Sequence, residues 1–152
     1  MTTRALRGRQ PDPVTQFSVF TENRMGRLHD LIGALGSHSV HVLAVTVLDA
    51  TETAIIRLVV DDPQAANRLL EEKGFAFTRC ELLVVELSAA TQLPELTAAF
   101  LEAEVNVHYM YSFIPQPEGK SILGISMEDN EVGEKILTSH GFRVLRQADV
   151  SR

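Results

Sequence analysis

The chain has 152 residues, 45% of them apolar and 22% charged, with a formal net charge of −6. That composition belongs to a folded globular protein of one ordinary domain or two small ones, and it excludes intrinsic disorder. The acidic balance leaves no broad basic face for nucleic acid. No apolar run reaches membrane-spanning length, because "CELLVVEL" is short and carries glutamates.

Residues 1–13, "MTTRALRGRQPDP", are basic, poor in apolar groups and close on two prolines, so a loose tail is expected there. They lack the apolar stretch of a secretory signal. The single cysteine, Cys80, cannot form an internal disulfide, and a cytoplasmic setting is the expectation. "VTQFSVF" alternates and is rich in β-formers, which predicts a strand from Val14. Leu28, Leu31, Ile32 and Leu35 then recur at helical spacing. "VHVLAVTVLD" and "TAIIRLVV" flank a short polar turn and read as a hairpin. "DDPQAANRLLEEKG" reads as a helix capped by Asp62, with Pro63 early and Gly74 as its stop. "FAFTRCE" closes the unit as a strand. The same order follows again: "LLVVEL", a helix from about Leu93, "VNVHYMYSF", "KSILGISM", a helix after Asp129, and "FRVLRQ" as the last strand.

The recurrence is a duplication. At one constant spacing Leu28 falls on Leu93, Leu31 on Leu96, Leu35 on Phe100 and Val42 on Val107. Further on the spacing grows by two residues, and Ile55 meets Ile122, Asp62 meets Asp129, and Gly74-Phe75 meets Gly141-Phe142. The added residues lie in "PQPEGK", the longer counterpart of "DATET". Two βαββαβ units follow, residues 14–81 and 82–150, which predicts an α+β protein. Its units are two ferredoxin-like folds side by side, with antiparallel sheets and helices on one face. Ile55, Ile56, Leu58, Val59 and Val60 run almost without a polar break, although such a sheet should alternate. Tight packing at a central strand explains this, and so does a second protomer covering the other sheet face.

The loop "TENRMGRL" is the candidate site. A loop entering a helix presents unpaired N–H groups and the positive dipole end, which suit a carboxylate. Gly26 keeps no side chain in the way, and Asn23 carries both an acceptor and donors. The plainer alternative is that Asn23 forms the turn and caps the helix. No catalytic constellation can be assembled. His38 and His41 form H-x-x-H without a third ligand, and His29, His108 and His140 are scattered. Cys80 reads as a buried, inert thiol, and "HYMYSF" as an interface or core stripe. Neither metal nor cofactor is expected.

Asn-x-x-Gly-x-Leu at this loop, in "ENRMGRLHDLIGAL", together with "EVNVHYMYSF" as second strand, resembles the ACT domains, small regulatory modules that bind amino acids. The likeness covers nearly the whole chain after the tail, as two units in tandem. Met25 stands where the family usually has proline, and His41 where the second strand often has asparagine. "SAATQLPEL" in the second copy has neither the asparagine nor the glycine. The resemblance implies a non-catalytic regulator holding one free amino acid between the loop of one unit and the second strand of the other. The residues it implies are Asn23, Arg24, Met25, Gly26, Arg27 and Leu28 on one side, and Asn106, Val107, His108 and Tyr109 on the other. It also implies an amino-acid biosynthetic enzyme as partner, acetolactate synthase being the alternative by similarity. The doubly apolar "AIIRLVV" and the aromatic "HYMYSF" lead to the expectation of a homodimer. An enzyme of unknown type on a ferredoxin-like scaffold is the competing class.

Overall fold

The computed structural model describes residues 12–114 and 117–151. The tail expected over residues 1–13 therefore lies outside the described residues except for Asp12 and Pro13. The first unit runs β1 (Val14–Glu22), α1 (Arg27–Ser37), β2 (Val42–Ala50), β3 (Thr53–Val60), α2 (Pro63–Glu72) and the opening half of β4 (Ala76–Leu87). The second runs from the closing half of β4 through α3 (Leu93–Glu102), β5 (Val107–Ser112), β6 (Ser121–Met127), α4 (Asn130–Ser139) and β7 (Arg143–Leu145). A short helix, α5 (Gln147–Val150), follows. All strand pairs are antiparallel, in the order β2-β3-β1-β4-β6-β5, with β7 also on β4.

The strands expected as "FAFTRCE" and "LLVVEL" are one strand of 12 residues. Its first half, Ala76–Leu82, pairs with β1, and its second half, from Leu83, pairs with β6 and β7. No glycine, proline, asparagine or aspartate interrupts it, so nothing in the segment turns the chain.

Each unit packs its two helices on one sheet face. Phe17, Val19, Leu58 and Val60 meet Leu31, Leu35, Leu69 and Leu70, while Leu83, Val85 and Ile125 meet Leu96, Phe100 and Leu137. A third core joins Val14, Ala44 and Val59 of the first unit to Leu82, Val84, Phe113 and Ile122 of the second. The helix-free faces of the two units thus cover one another, and Ile114 N–H donates to the Leu43 carbonyl at 2.7 Å where β5 leaves the sheet. This accounts for the doubly apolar β3. Leu58 and Val60 enter the helix-covered core, and Val59 enters the core between units. The cover comes from the same chain, an arrangement that neither explanation drawn from the sequence contained.

The last segment also differs from a simple strand. "FRVLRQ" supplies only three strand residues before α5 turns Val150 into the inter-unit core. Asp149 caps that turn by accepting from Arg146 N–H at 2.7 Å.

Candidate functional site at the β1–α1 loop

After β1 the chain is held to the β2–β3 turn. Asn23 N–H donates to the Glu52 carbonyl at 2.9 Å, and its side-chain amide donates to Asp49 at 2.5 Å and to the Thr51 carbonyl at 2.9 Å. Asp49 also accepts from Thr51 N–H at 3.0 Å, which fixes Thr51 at φ 68 in the turn. Asn23 is therefore a staple between loop and hairpin, not the cap of α1.

The N-cap position belongs to Gly26, at φ 91 in the left-handed region that favours glycine, and no side chain caps the helix. The contrast lies within the same molecule. Asp62 caps α2 by accepting from Ala65 N–H, and Asp129 caps α4 by accepting from Val132 N–H, each at 3.1 Å. Arg27 N–H turns back to the Arg24 carbonyl at 3.4 Å, and Leu28 and His29 N–H have no partner among the described residues, with the dipole behind them. Met25 is wholly exposed at the loop tip, and Leu28 is exposed beside it. Arg24 pairs with Glu22 at 3.3 Å in solvent. Arg27 reaches Asp30 at 3.6 Å and lays its guanidinium over the Phe75 ring, 5.3 Å from its centroid.

The equivalent loop of the second unit closes on itself. Ser88 N–H donates to the Gln92 side chain at 2.6 Å, a single 3-10 turn (Ala90–Gln92) leads in, and a proline occupies the first turn of α3. Only the first loop presents an open helix start preceded by a left-handed glycine.

The residues expected on the opposite side sit on and beside β5. Asn106 donates to Glu128 at 3.3 Å, within its own unit. Val107 and His108 are exposed. Tyr109 faces the first unit's sheet, where its hydroxyl accepts from Gln16 Nε2 at 2.7 Å and Arg57 stacks 4.0 Å over its ring. The described contacts tie Asn23 to the hairpin and Asn106 to the turn after β6; no hydrogen bond or ion pair of the described residues joins the two sets.

Several side chains passed over in the sequence matter here. Gln16, fully buried, donates to Tyr109 and also accepts from the Tyr111 hydroxyl at 2.6 Å. Its signal was weak: it lies between Val14 and Phe20 on one face of β1, but Ser18 shares that face. Burial, and then the neighbouring Tyr109, hold the Tyr111 phenol above its ordinary range. Cys80 corrects the expectation of a buried thiol. The residue is exposed, but its Sγ lies 3.3 Å from Gln16 Nε2 and is desolvated enough to raise the thiol above its ordinary 9.0. The H-x-x-H pair is split, with His38 bonding the Ala34 carbonyl at 2.9 Å and His41 bonding Asp61 at 2.7 Å.

A βαββαβ unit repeated about one shared strand, with paired helices outside each sheet, defines a tandem ferredoxin-like α+β protein. The sequence matches the family described as ACT domain pair across residues 13–151, and the chain belongs to that family. ACT domains are regulatory, non-catalytic domains. Solved structures agree on the fold. A protein of Bacteroides thetaiotaomicron, BT0572, is similar with a TM-score of 0.84 at 21% identity, over 93% of this chain and 98% of that one. The regulatory subunit of aspartate kinase from Thermus thermophilus is similar at TM-score 0.61 and 14% identity, over 84% and 89%. The corresponding subunit from Thermus flavus reaches 0.56 at 15%, over 86% and 94%. No curated protein sequence matches the chain. Among the described residues no helix is long and apolar enough to cross a membrane.

Proposed function

We propose that this protein is a non-catalytic regulator that binds one free amino acid at the β1–α1 loop of its first unit. The observation that carries the reading is the open start of α1. Gly26 is left-handed and capless there; aspartates close α2 and α4, and α3, which also lacks a side-chain cap, starts on a 3-10 turn and a proline instead of a left-handed glycine. The Leu28 and His29 N–H groups receive the ligand's carboxylate, and the Asn23 side-chain oxygen, left over after the amide has stapled the hairpin, accepts from its ammonium. Arg24, Met25, Arg27 and Leu28 border it. Asn106, Val107, His108 and Tyr109 complete the site only from a second chain, since within one chain Tyr109 is held by Gln16 and Arg57 and Asn106 by Glu128; the closed second loop makes the stoichiometry one per chain.

A homodimer belongs to the same proposal. Phe20 and Leu48 lie on the helix-free face of the first unit and stay 38% and 47% exposed beyond the second unit's cover. A second chain buries them. Light scattering at micromolar concentration checks this, and a monomeric mass would sink it. The regulated enzyme is one of amino-acid biosynthesis; for acetolactate synthase, the check is co-purification with a large catalytic subunit.

The central experiment is a thermal-shift screen of the full chain against the twenty amino acids, followed by calorimetry on the hit. Binding raises the melting temperature by mass action. Asn23→Ala weakens the hit by about 10- to 100-fold, the loss of one charge-assisted hydrogen bond. Its shift is read against the variant's own ligand-free melting temperature, because the staple to Asp49 and Thr51 goes too. Absence of any hit, or two equal sites per chain, overturns the reading.

A further inference from the structure

Two buried side-chain polar atoms have no hydrogen-bond partner among the described residues: Thr21 Oγ1 and Arg27 Nε. Both belong to the same corner of the first unit. Thr21 is the last buried residue of β1, 5% exposed, and alternates with Phe17 and Val19 on the helix-covered face. Arg27 is the first residue of α1, one turn before the buried Leu31, so it lies on the helix's inward stripe. Phe75 joins them. It sits one step beyond the last β1–β4 pair, Phe20 with Ala76, packs with the helix-covered core, and carries the Arg27 guanidinium over its ring.

Native proteins seldom leave such groups unpaired, because burying an unsatisfied donor costs stability. The hydroxyl can donate and Nε–H can only donate, and one of the two belongs to a cation. An acceptor oxygen satisfies both, and beside a guanidinium an anionic one makes the stronger bond. Asp30, 3.6 Å away, engages the guanidinium at a terminal nitrogen and leaves Nε free. Thr21 near the end of β1 and Arg27 at the first position of α1 flank the loop that holds Gly26, and on this placement we assign a group held there to the same ligand.

We propose that Thr21 and Arg27 form the side-chain subsite of the amino-acid site, and that it takes a carboxylate. The ligand is then an acidic amino acid, glutamate or aspartate. This rests on the amino-acid-binding reading above and adds to it the class of ligand.

Calorimetry of the full chain with L-glutamate, L-aspartate, L-glutamine and L-asparagine tests it. One of the acids binds at least about 10-fold more tightly than its amide, the worth of a charge-assisted hydrogen bond. Thr21→Val keeps the shape and removes the hydroxyl. It lowers the acid's affinity by a similar factor, leaves the amide's unchanged, and raises the ligand-free melting temperature because a methyl replaces an unpaired hydroxyl. Arg27→Met abolishes the preference for the acid. If a neutral amino acid binds as tightly as the acids and Asn23→Ala removes that binding, the site stands and the carboxylate subsite is wrong. If an acid binds but Thr21→Val and Arg27→Met match the wild type, the corner holds a buried water and the inference falls. If no amino acid binds, both readings fall together.

Discussion

Gln16 carries more of the molecule's specificity than any one apolar side chain. Its amide, with no exposure, donates to Tyr109, accepts from Tyr111 and lies against Cys80. A buried polar network with every member paired favours one packing of the two units over its alternatives, since any slip leaves hydroxyls unpaired in the core. The Tyr111 phenol gives this a pH signature. Its folded pKa is raised, by burial first and by Tyr109 second, from an ordinary value of 10.0. Above that pH the unfolded chain releases a proton the folded chain keeps. Stability is therefore full below pH 10.0 and falls as pH rises toward the folded pKa, by at most about 1.4 kcal/mol per unit for one proton. Urea titrations between pH 8 and 11 in a Cys80→Ser background, which removes the thiol's own alkaline titration, should show that slope. The further change Tyr111→Phe should flatten it.

At the scale of elements, the helix starts divide into closed and open. Asp62→Ala and Asp129→Ala each remove a side-chain cap and should cost about 1 kcal/mol by urea denaturation. The two caps lie on different units and share no partner, so the double variant should lose about the sum. Gly26 and Gln92 offer no side-chain cap to remove, and of these two starts only that of α1 follows a left-handed glycine, which is where we propose the ligand binds. Most elements were legible in the sequence because apolar period, caps and stops agree: Asp62, Pro63 and Gly74 sit where α2 needs them, and Asp129 repeats the pattern. The fusion of two strands into β4 left one trace, the lack of any turn residue between Phe75 and Leu87. The helix α5 left none, because a four-residue helix shows no periodicity. It forms because Val150 has a core to enter and Gln147 has backbone partners to meet.

At the scale of the whole molecule, Gln147 ties the end of the chain to its beginning. Its side-chain oxygen accepts from Thr15 N–H at 3.0 Å, its amide donates to the Val60 carbonyl at 3.1 Å, and its own N–H reaches the Asp12 carbonyl. Gln147→Ala strands two backbone groups and should cost about 1–3 kcal/mol. It should also speed amide exchange at Thr15, and unchanged protection there would show that the clasp contributes nothing. With β4 common to both units, a third core between them and this clasp behind, the units are expected to unfold together in a single transition.

The sequence by itself determined the duplication and the order of elements apart from the fused β4 and the short α5, and it singled out the loop at which we propose a ligand. Those features rest on local chemistry: apolar periodicity within an element, and the glycine, proline and aspartate that start or stop it. Only the tertiary structure decided that the helix-free faces meet within one chain, because strand alternation says that two faces are apolar and not which surface covers each. It also decided the work of Asn23. A side chain with donors and an acceptor fits both a cap and a staple in sequence, and the hairpin that claims its amide lies 26 residues away. Thr21 and Arg27 became conspicuous for the same reason. An unpaired donor is defined by everything folded around it, which no local pattern of residues records.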